Sequence, residues 1–307
     1  MDEGDRDLFG RPLAIPPRTR KAIEVAAEIM QEPPDRADYL HAVLCQVGMP
    51  RSKTAEREFV RRSGSVFMKL EAGSLFNGID DFIRQPLPYG SRPRLVMVHI
   101  SSEAVRTQRR EIEIGDSIRD FMGRLGILDG GGPRGGYTMF KRQMQALAAC
   151  RLTLGLATLG RSVTINTQPI TRFEAWLQPE GGQHTLWPGE LQLSQEFFET
   201  LVGHAVPLDP RALSGLKGSA LALDVYSWLA HRLCRINGAS VKLSWGNLRA
   251  QFGQEYADTK DFKRAFRLAL RQVLALYPDA RVEEEPGGLV LKPSRPPLAK
   301  TQVLISP

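Results

Sequence analysis

The chain has 307 residues, 42% hydrophobic and 24% charged, with a formal net charge of +7. That length allows about two domains, and the positive balance favours an anionic partner, nucleic acid before membrane, since no basic amphipathic anchor stands out. No apolar run approaches the roughly 20 residues that span a bilayer, the acidic opening MDEGDRDLFGRPL has no signal-peptide core, and Cys45, Cys150 and Cys234 are scattered without a CxxC, which argues against disulfides and zinc and fits a cytoplasmic protein.

Residues 1–37 are charged and proline-rich and read as a flexible tail, with one helix expected over 18–30. Residues 38–180 form the first expected domain. DYLHAVLCQVGMP reads there as an apolar helix ended by Gly48 and Pro50, 67–72 as a strand, and 87–90 as a turn. A short strand follows at 112–114, then a short helix from Ser117, a long helix over 137–154, and a hairpin over 158–165 and 171–177. Residues 181–217 read as a connector carrying strands at 190–193 and 205–208 around a helix at 194–201.

The second expected domain covers 218–293. It opens with an apolar helix over 219–236 and a strand at 241–243. A short helix over 244–252 comes next, with Ser244 as N-cap and Gly253 as its stop. The long helix over 258–277 places Phe262, Phe266, Ala269, Leu270, Val273 and Tyr277 at helical spacing. Two strands then flank Pro286-Gly287-Gly288, a pairing suited to a type II turn. Residues 294–307 read as a loose tail.

The two domains look like copies of one another. Ser117-x3-Phe121-x3-Leu125-Gly126 matches Ser244-x3-Leu248-x3-Phe252-Gly253 at an offset of 127, and FKRQMQALAACRLTL from Phe140 matches FKRAFRLALRQVLAL from Phe262 at an offset of 122. A five-residue change in the loop holding GGGPRGG accounts for the difference. The fold class expected is therefore α+β: two tandem winged-helix domains, each a helix-turn-helix plus a β-hairpin, related by an internal repeat.

Chemistry is expected on the far face of the second long helix. Lys260, Arg264, Arg267 and Arg271 are four, three and four apart, opposite the aromatics, with Lys263 at the edge. On the second helix of a helix-turn-helix such a stripe is placed to enter a major groove. A merely solvated basic face is the plain alternative, and the neighbouring hairpin argues against it. Arg281 and Lys292 on the wing are expected to touch phosphate. The first long helix offers Lys141, Arg142 and Gln145, and further along Arg151, but it has Gln145 and Ala149 where the second has Arg267 and Arg271. It is expected to do more packing and less base reading. Its small residues Ala148 and Ala149 suggest a homodimer through the first domain.

Catalytic signals are missing. His41, His99, His184, His204 and His231 are isolated, without HxH or HExxH. GGGPRGG lacks the GK[ST] ending of a phosphate loop, and Glu283, Glu284 and Glu285 would alternate faces on a strand. No catalytic residue, cofactor or metal is expected.

PYGSRPRLVMVHISSEAVRTQRREIEIGDSIRDFMGRLGI at 88–127, HAVLCQVGMP from His41, and the glycine loop followed by FKRQ resemble plasmid-encoded replication initiators of the RepA and TrfA type, a resemblance running over about 38–293. It implies tandem winged helices, binding to repeated sequences (iterons) in double-stranded plasmid origin DNA, duplex opening, and recruitment of the host initiator and replicative helicase. It implies no nuclease or ATPase site. The family's DNA-contacting helices carry over onto 137–154 and 258–277. The rival functions are a transcriptional repressor with the same DNA-reading parts, and an origin-nicking enzyme.

Overall fold

The computed structural model describes residues 17–77, 79–115, 117–127, 135–158, 161–172 and 190–298. In chain order the first part comprises α1 (Pro17–Gln31), β1 (Asp38–His41), α2 (Ala42–Gln46), β2 (Glu58–Ser63), β3 (Val66–Glu71), β4 (Ser74–Phe76) and β5 (Phe82–Arg84). Then come α3 (Ser91–Thr107), β6 (Glu111–Glu113), α4 (Ile118–Arg124), α5 (Gly136–Ala149), β7 (Arg151–Thr158), β8 (Arg161–Thr167), β9 (Ile170–Arg172) and β10 (Glu190–Leu193). The rest is α6 (Gln195–His204), β11 (Ala205–Leu208), α7 (Pro210–Leu216), α8 (Ala220–Arg232), β12 (Val241–Ser244), α9 (Trp245–Phe252), α10 (Thr259–Ala275), β13 (Val282–Glu285) and β14 (Gly288–Leu291). The chain is a mixed α+β protein.

Two runs share an element order and a strand order. In one, α3, β6, α4 and α5 lead to a sheet ordered β6-β10-β9; in the other, α8, β12, α9 and α10 lead to a sheet ordered β12-β14-β13. Both sheets are antiparallel. The matching helix starts are built alike. Ser117 Oγ accepts the Asp120 amide at 3.0 Å and Ser244 Oγ accepts the Asn247 amide at 3.1 Å, each satisfying a donor that the first helical turn leaves free.

The first run departs from the sequence expectation after α5. The helix stops at Ala149 because Cys150 is extended (φ −75, ψ 148). From Arg151 burial alternates with a period of two, Leu152 and Leu154 facing the core. Arg151 therefore heads a strand and is not part of the long helix. β7 pairs with β3 and β8 with β7, not with the short sheet, in the order β2-β3-β7-β8. The strand expected at 158–165 straddles the turn of that hairpin. Of the one expected at 171–177, Thr171 and Arg172 fall in β9, and 173–177 lie outside the described residues, as do residues 130–134 of the glycine loop.

The strands and helix expected in the connector form, as does the helix expected over 18–30, and the connector and both expected tails contribute packed residues. The expected connector supplies β10 to the β6-β10-β9 sheet and β11 as partner of β1, burying Leu191, Leu193, Val206 and Leu208. Within the expected N-terminal tail, α1 lays Val25, Ala26 and Ile29 against the core, and Glu28 reaches Arg211 at 3.8 Å. Of the expected C-terminal tail, Arg295 accepts the Tyr277 hydroxyl through its carbonyl at 2.6 Å and Leu298 is buried. The helix expected from DYLHAVLCQVGMP is short, since β1 takes Asp38–His41 and Val47 is already extended.

The turn between β13 and β14 differs in kind as well. Positive φ falls on Gly288 and not on Gly287, so the type II turn expected at Pro286-Gly287 is not formed. Gly288 is required by close approach: a Cβ there would lie 1.9 Å from the Leu243 carbonyl oxygen.

Candidate nucleic-acid interface

Asp258 caps α10, accepting the Asp261 amide at 2.7 Å. Phe262, Phe266, Ala269, Leu270 and Val273 then point inward. Trp245, the first residue of α9, meets Phe262 and Phe266 edge-on, with ring centroids 6.5 and 6.1 Å away. This aromatic floor fixes the helix, and the opposite face is left to water: Lys260, Arg264, Arg267, Leu268, Arg271 and Gln272 are exposed.

The cations on that face are held differently. Lys263 is half-buried, its Nζ 5.4 Å from the centre of the Trp245 ring, and the Arg267 guanidinium lies 5.1 Å from the same ring. A cation over an indole face is favourable. Arg267 also grips Glu284 of β13, with Nε and Nη2 at 2.7 and 2.6 Å from Oε1. Arg264 pairs with Asp261 at 2.8 Å within the helix. Lys260 and Arg271 have no acidic partner among the described residues. At the β13–β14 hairpin, Lys292 pairs with Glu283, Lys242 of the neighbouring β12 lies 3.2 Å from Glu285, and Arg281 is exposed. Each of the three successive glutamates thus carries its own cation.

α5 is arranged otherwise. Arg142 is exposed and Gln145 half-buried, and burial holds the Lys141 amine below the usual lysine range. Beyond Gln145 the helix is covered all round: Ala146, Leu147, Ala148 and Ala149 are buried. Gly73, at the base of the β4–β5 hairpin, packs so tightly on the end of α5 that a Cβ on it would sit 2.0 Å from the Ala149 carbonyl oxygen. The alanines expected to make a homodimer surface are spent inside the chain, and they carry no dimer argument.

Sequence reasoning missed Trp245, Glu284 and Leu268. The tryptophan follows an N-cap serine, and its partners lie 18 and 22 residues away on another helix. Leu268 breaks the helical apolar stripe; it is 53% exposed amid the cations. Among the described residues no group of three or more His, Cys, Asp or Glu side chains is placed to hold a metal ion, and no helix is long and apolar enough to cross a membrane.

The family model described as plasmid encoded RepA protein matches residues 87–247. The chain belongs to this family of plasmid replication initiators. The match starts just before α3 and ends within α9, so α10 lies beyond it. A crystal structure of a selenomethionine derivative of domains 2 and 3 of RctB is similar in outline, at 14% identity and a TM-score of 0.49, covering 81% of this chain and 96% of that one. No curated protein matches the chain.

Proposed function

We propose that the two runs are tandem winged helices and that this RepA-family protein starts plasmid replication by reading repeated origin sequences without catalysis, then engages the host initiator and helicase. The observation that carries the reading is α10: one face seated on an aromatic floor, the other presenting Lys260, Arg264, Arg267 and Arg271 beside a two-stranded wing. Arginine donors pair with guanine edges, and an exposed leucine suits a thymine methyl, so Arg267, Arg264 and Leu268 are assigned to bases. Lys260, Lys263 and Arg271, with Arg281 and Lys292 on the wing, are assigned to phosphate. Lys141, Arg142 and Gln145, at the open end of α5, make the lesser set of contacts.

Two different readers in one chain call for an asymmetric site, unlike the palindrome read by a two-fold dimer. Readers one helical turn apart, with flanking contacts, protect on the order of 20 base pairs. The test is selection of bound duplexes from a random-sequence pool, followed by footprinting of one isolated site. An asymmetric footprint of about two turns is expected. Binding without sequence preference, or only as a dimer on a palindrome, overturns the reading.

A further inference from the structure

Residues 46–52 run between the two runs of the fold and are gripped from both sides. From the second run, Gln251 Nε2 of α9 donates to the Gln46 carbonyl at 2.7 Å. Glu255, in the turn between α9 and α10, accepts the backbone amides of Arg51 and Ser52 at 2.5 and 3.3 Å. The same carboxylate pairs with Arg51 Nη2 at 2.9 Å and with Arg61 Nη2 at 3.4 Å. Arg61 on β2 is fully buried and its Nε and Nη1 have no partner, so Glu255 is the one acid that answers it at contact distance among the described residues. From the first run, Arg94 on α3 donates to the carbonyls of Met49 and Pro50 at 2.5 and 3.0 Å.

Arg94 also closes a two-point ion pair with Asp224 on α8, Nε to Oδ1 at 2.6 Å and Nη2 to Oδ2 at 2.8 Å, both side chains 7% exposed. α3 (Ser91–Thr107) and α8 (Ala220–Arg232) are the opening helices of the two runs, and this pair joins them within their N-terminal halves. Gly48 is moulded to it: a Cβ would lie 2.5 Å from either Asp224 carboxylate oxygen. A planar, two-point contact fixes angle as well as distance, and its removal leaves a buried charge uncompensated.

We propose that residues 46–52, with Arg94, Asp224 and Glu255, form a ruler that fixes the distance and rotation between α5 and α10, so that the spacing of the two half-sites is itself read by the protein. This rests on the DNA-reading proposal above. Glu255 stands three residues before the α10 cap, so the grip acts at the end of the helix that leads into the groove. It is a positioning residue and touches no base. One extra base pair between half-sites moves them about 3.4 Å and turns them about 34°, which a rigid pair of readers cannot follow.

The experiment uses the full chain and a site selected from random-sequence duplexes, with one, two and five base pairs inserted between its footprinted halves. For the parent a one- or two-pair insertion is expected to cost roughly tenfold to a hundredfold in affinity, the loss of one or two base contacts. Glu255→Gln and Arg94→Lys are expected to bind the original spacing more weakly, yet to lose less than about threefold on insertion, because each reader then finds its half-site separately. Gln251→Ala, the mildest change, is expected to fall between. A fold defect alone weakens binding at every spacing alike. A parent that binds no duplex overturns the DNA-reading proposal. A parent indifferent to insertion, or variants that keep its full penalty, overturns the ruler alone.

Discussion

α5 and α10 occupy the same place in two runs of like topology and present opposite surfaces. Position 146 of α5 is an alanine at 0% exposure, whereas its counterpart Leu268 is 53% exposed. Ala149 is buried where Arg271 is exposed. The cause is what each helix is followed by. After α10 the chain turns at once into the wing. After α5 it enters β7, which joins β2 and β3 and, with the β4–β5 hairpin, brings a second layer over the helix end. One arrangement leaves the cationic face of the helix open to water; the other covers the helix end. The resemblance between the two runs lies in how the helices are held, and the difference in what covers them.

The harshest way to break that comparison is to give α5 the residue of α10. Ala149→Arg places a long cation where Gly73 already touches the helix end, and an unpaired buried charge costs about 3–5 kcal/mol. Arg271→Ala removes an exposed side chain and should stay within about 0.5 kcal/mol. Urea unfolding of the two variants measures both, and similar losses would mean that the helices are covered alike.

Acid should load the two parts of the fold unequally, with two histidines titrating low in the first part against one in the second, His231 of α8, which burial pulls down to about 4. The first part of the fold holds His41 and His99, whose Nε2 atoms are buried without a partner, and burial pulls both down to about 4. The unfolded chain titrates near 6.5 and so binds more protons than the folded one between those values. Stability is therefore full above about 6.5 and falls as the pH drops towards 4. At pH 5 the loss is at most about 2 kcal/mol for each histidine. His41→Gln and His99→Gln should flatten the acid limb of a stability–pH curve, and an unchanged limb would show that other groups set it.

Much of the second run was legible in the sequence. Ser244 and Gly253 bound α9 where the capping pattern puts them, and the aromatic spacing of α10 marks its inner face, because these are local rules of helix termini and periodicity. The first run was legible up to Ala149. Past it, FKRQMQALAACRLTL keeps the apolar look of a helix while Leu152 and Leu154 obey strand alternation, and only pairing with β3 decides between the two. The site was legible as a stripe and illegible as a network. Charges four apart are visible in a string; Glu284 beneath Arg267 and Glu255 beside Arg51 and Arg61 are made by chain folding.

On DNA, Arg267→Ala is expected to cost about 1–3 kcal/mol and to relax preference at one base pair, the signature of a guanine contact. Gln145→Ala, at the corresponding place on α5, should cost less than about 1 kcal/mol if α10 is the main reader. Titrating both variants against the selected site and its single-base variants decides the matter. Equal losses would make the two helices equal partners in recognition and erase the division drawn above.

The smallest effect is the most discriminating about α10 itself. Glu284 holds Arg267 at two points, yet both are exposed (44% and 40%), and such a pair contributes about 0–1 kcal/mol to stability. On the proposed DNA-reading function, its part is at the groove. The carboxylate aims the guanidinium, and it also sets a negative charge against phosphate. Glu284→Gln keeps the shape and an acceptor oxygen while removing that charge. Binding to random duplex should tighten, and the slope of log affinity against log salt should steepen by about one, as Arg267 becomes free to engage a phosphate and release its counterion. Discrimination at the base facing Arg267 should fall at the same time, because an arginine no longer held in one orientation reads less sharply. A salt series on the selected site and on random duplex separates the two effects. If slope and non-specific affinity both stay at the parental values, Arg267 does not face the backbone, and the Glu284 pair belongs to the wing's own packing.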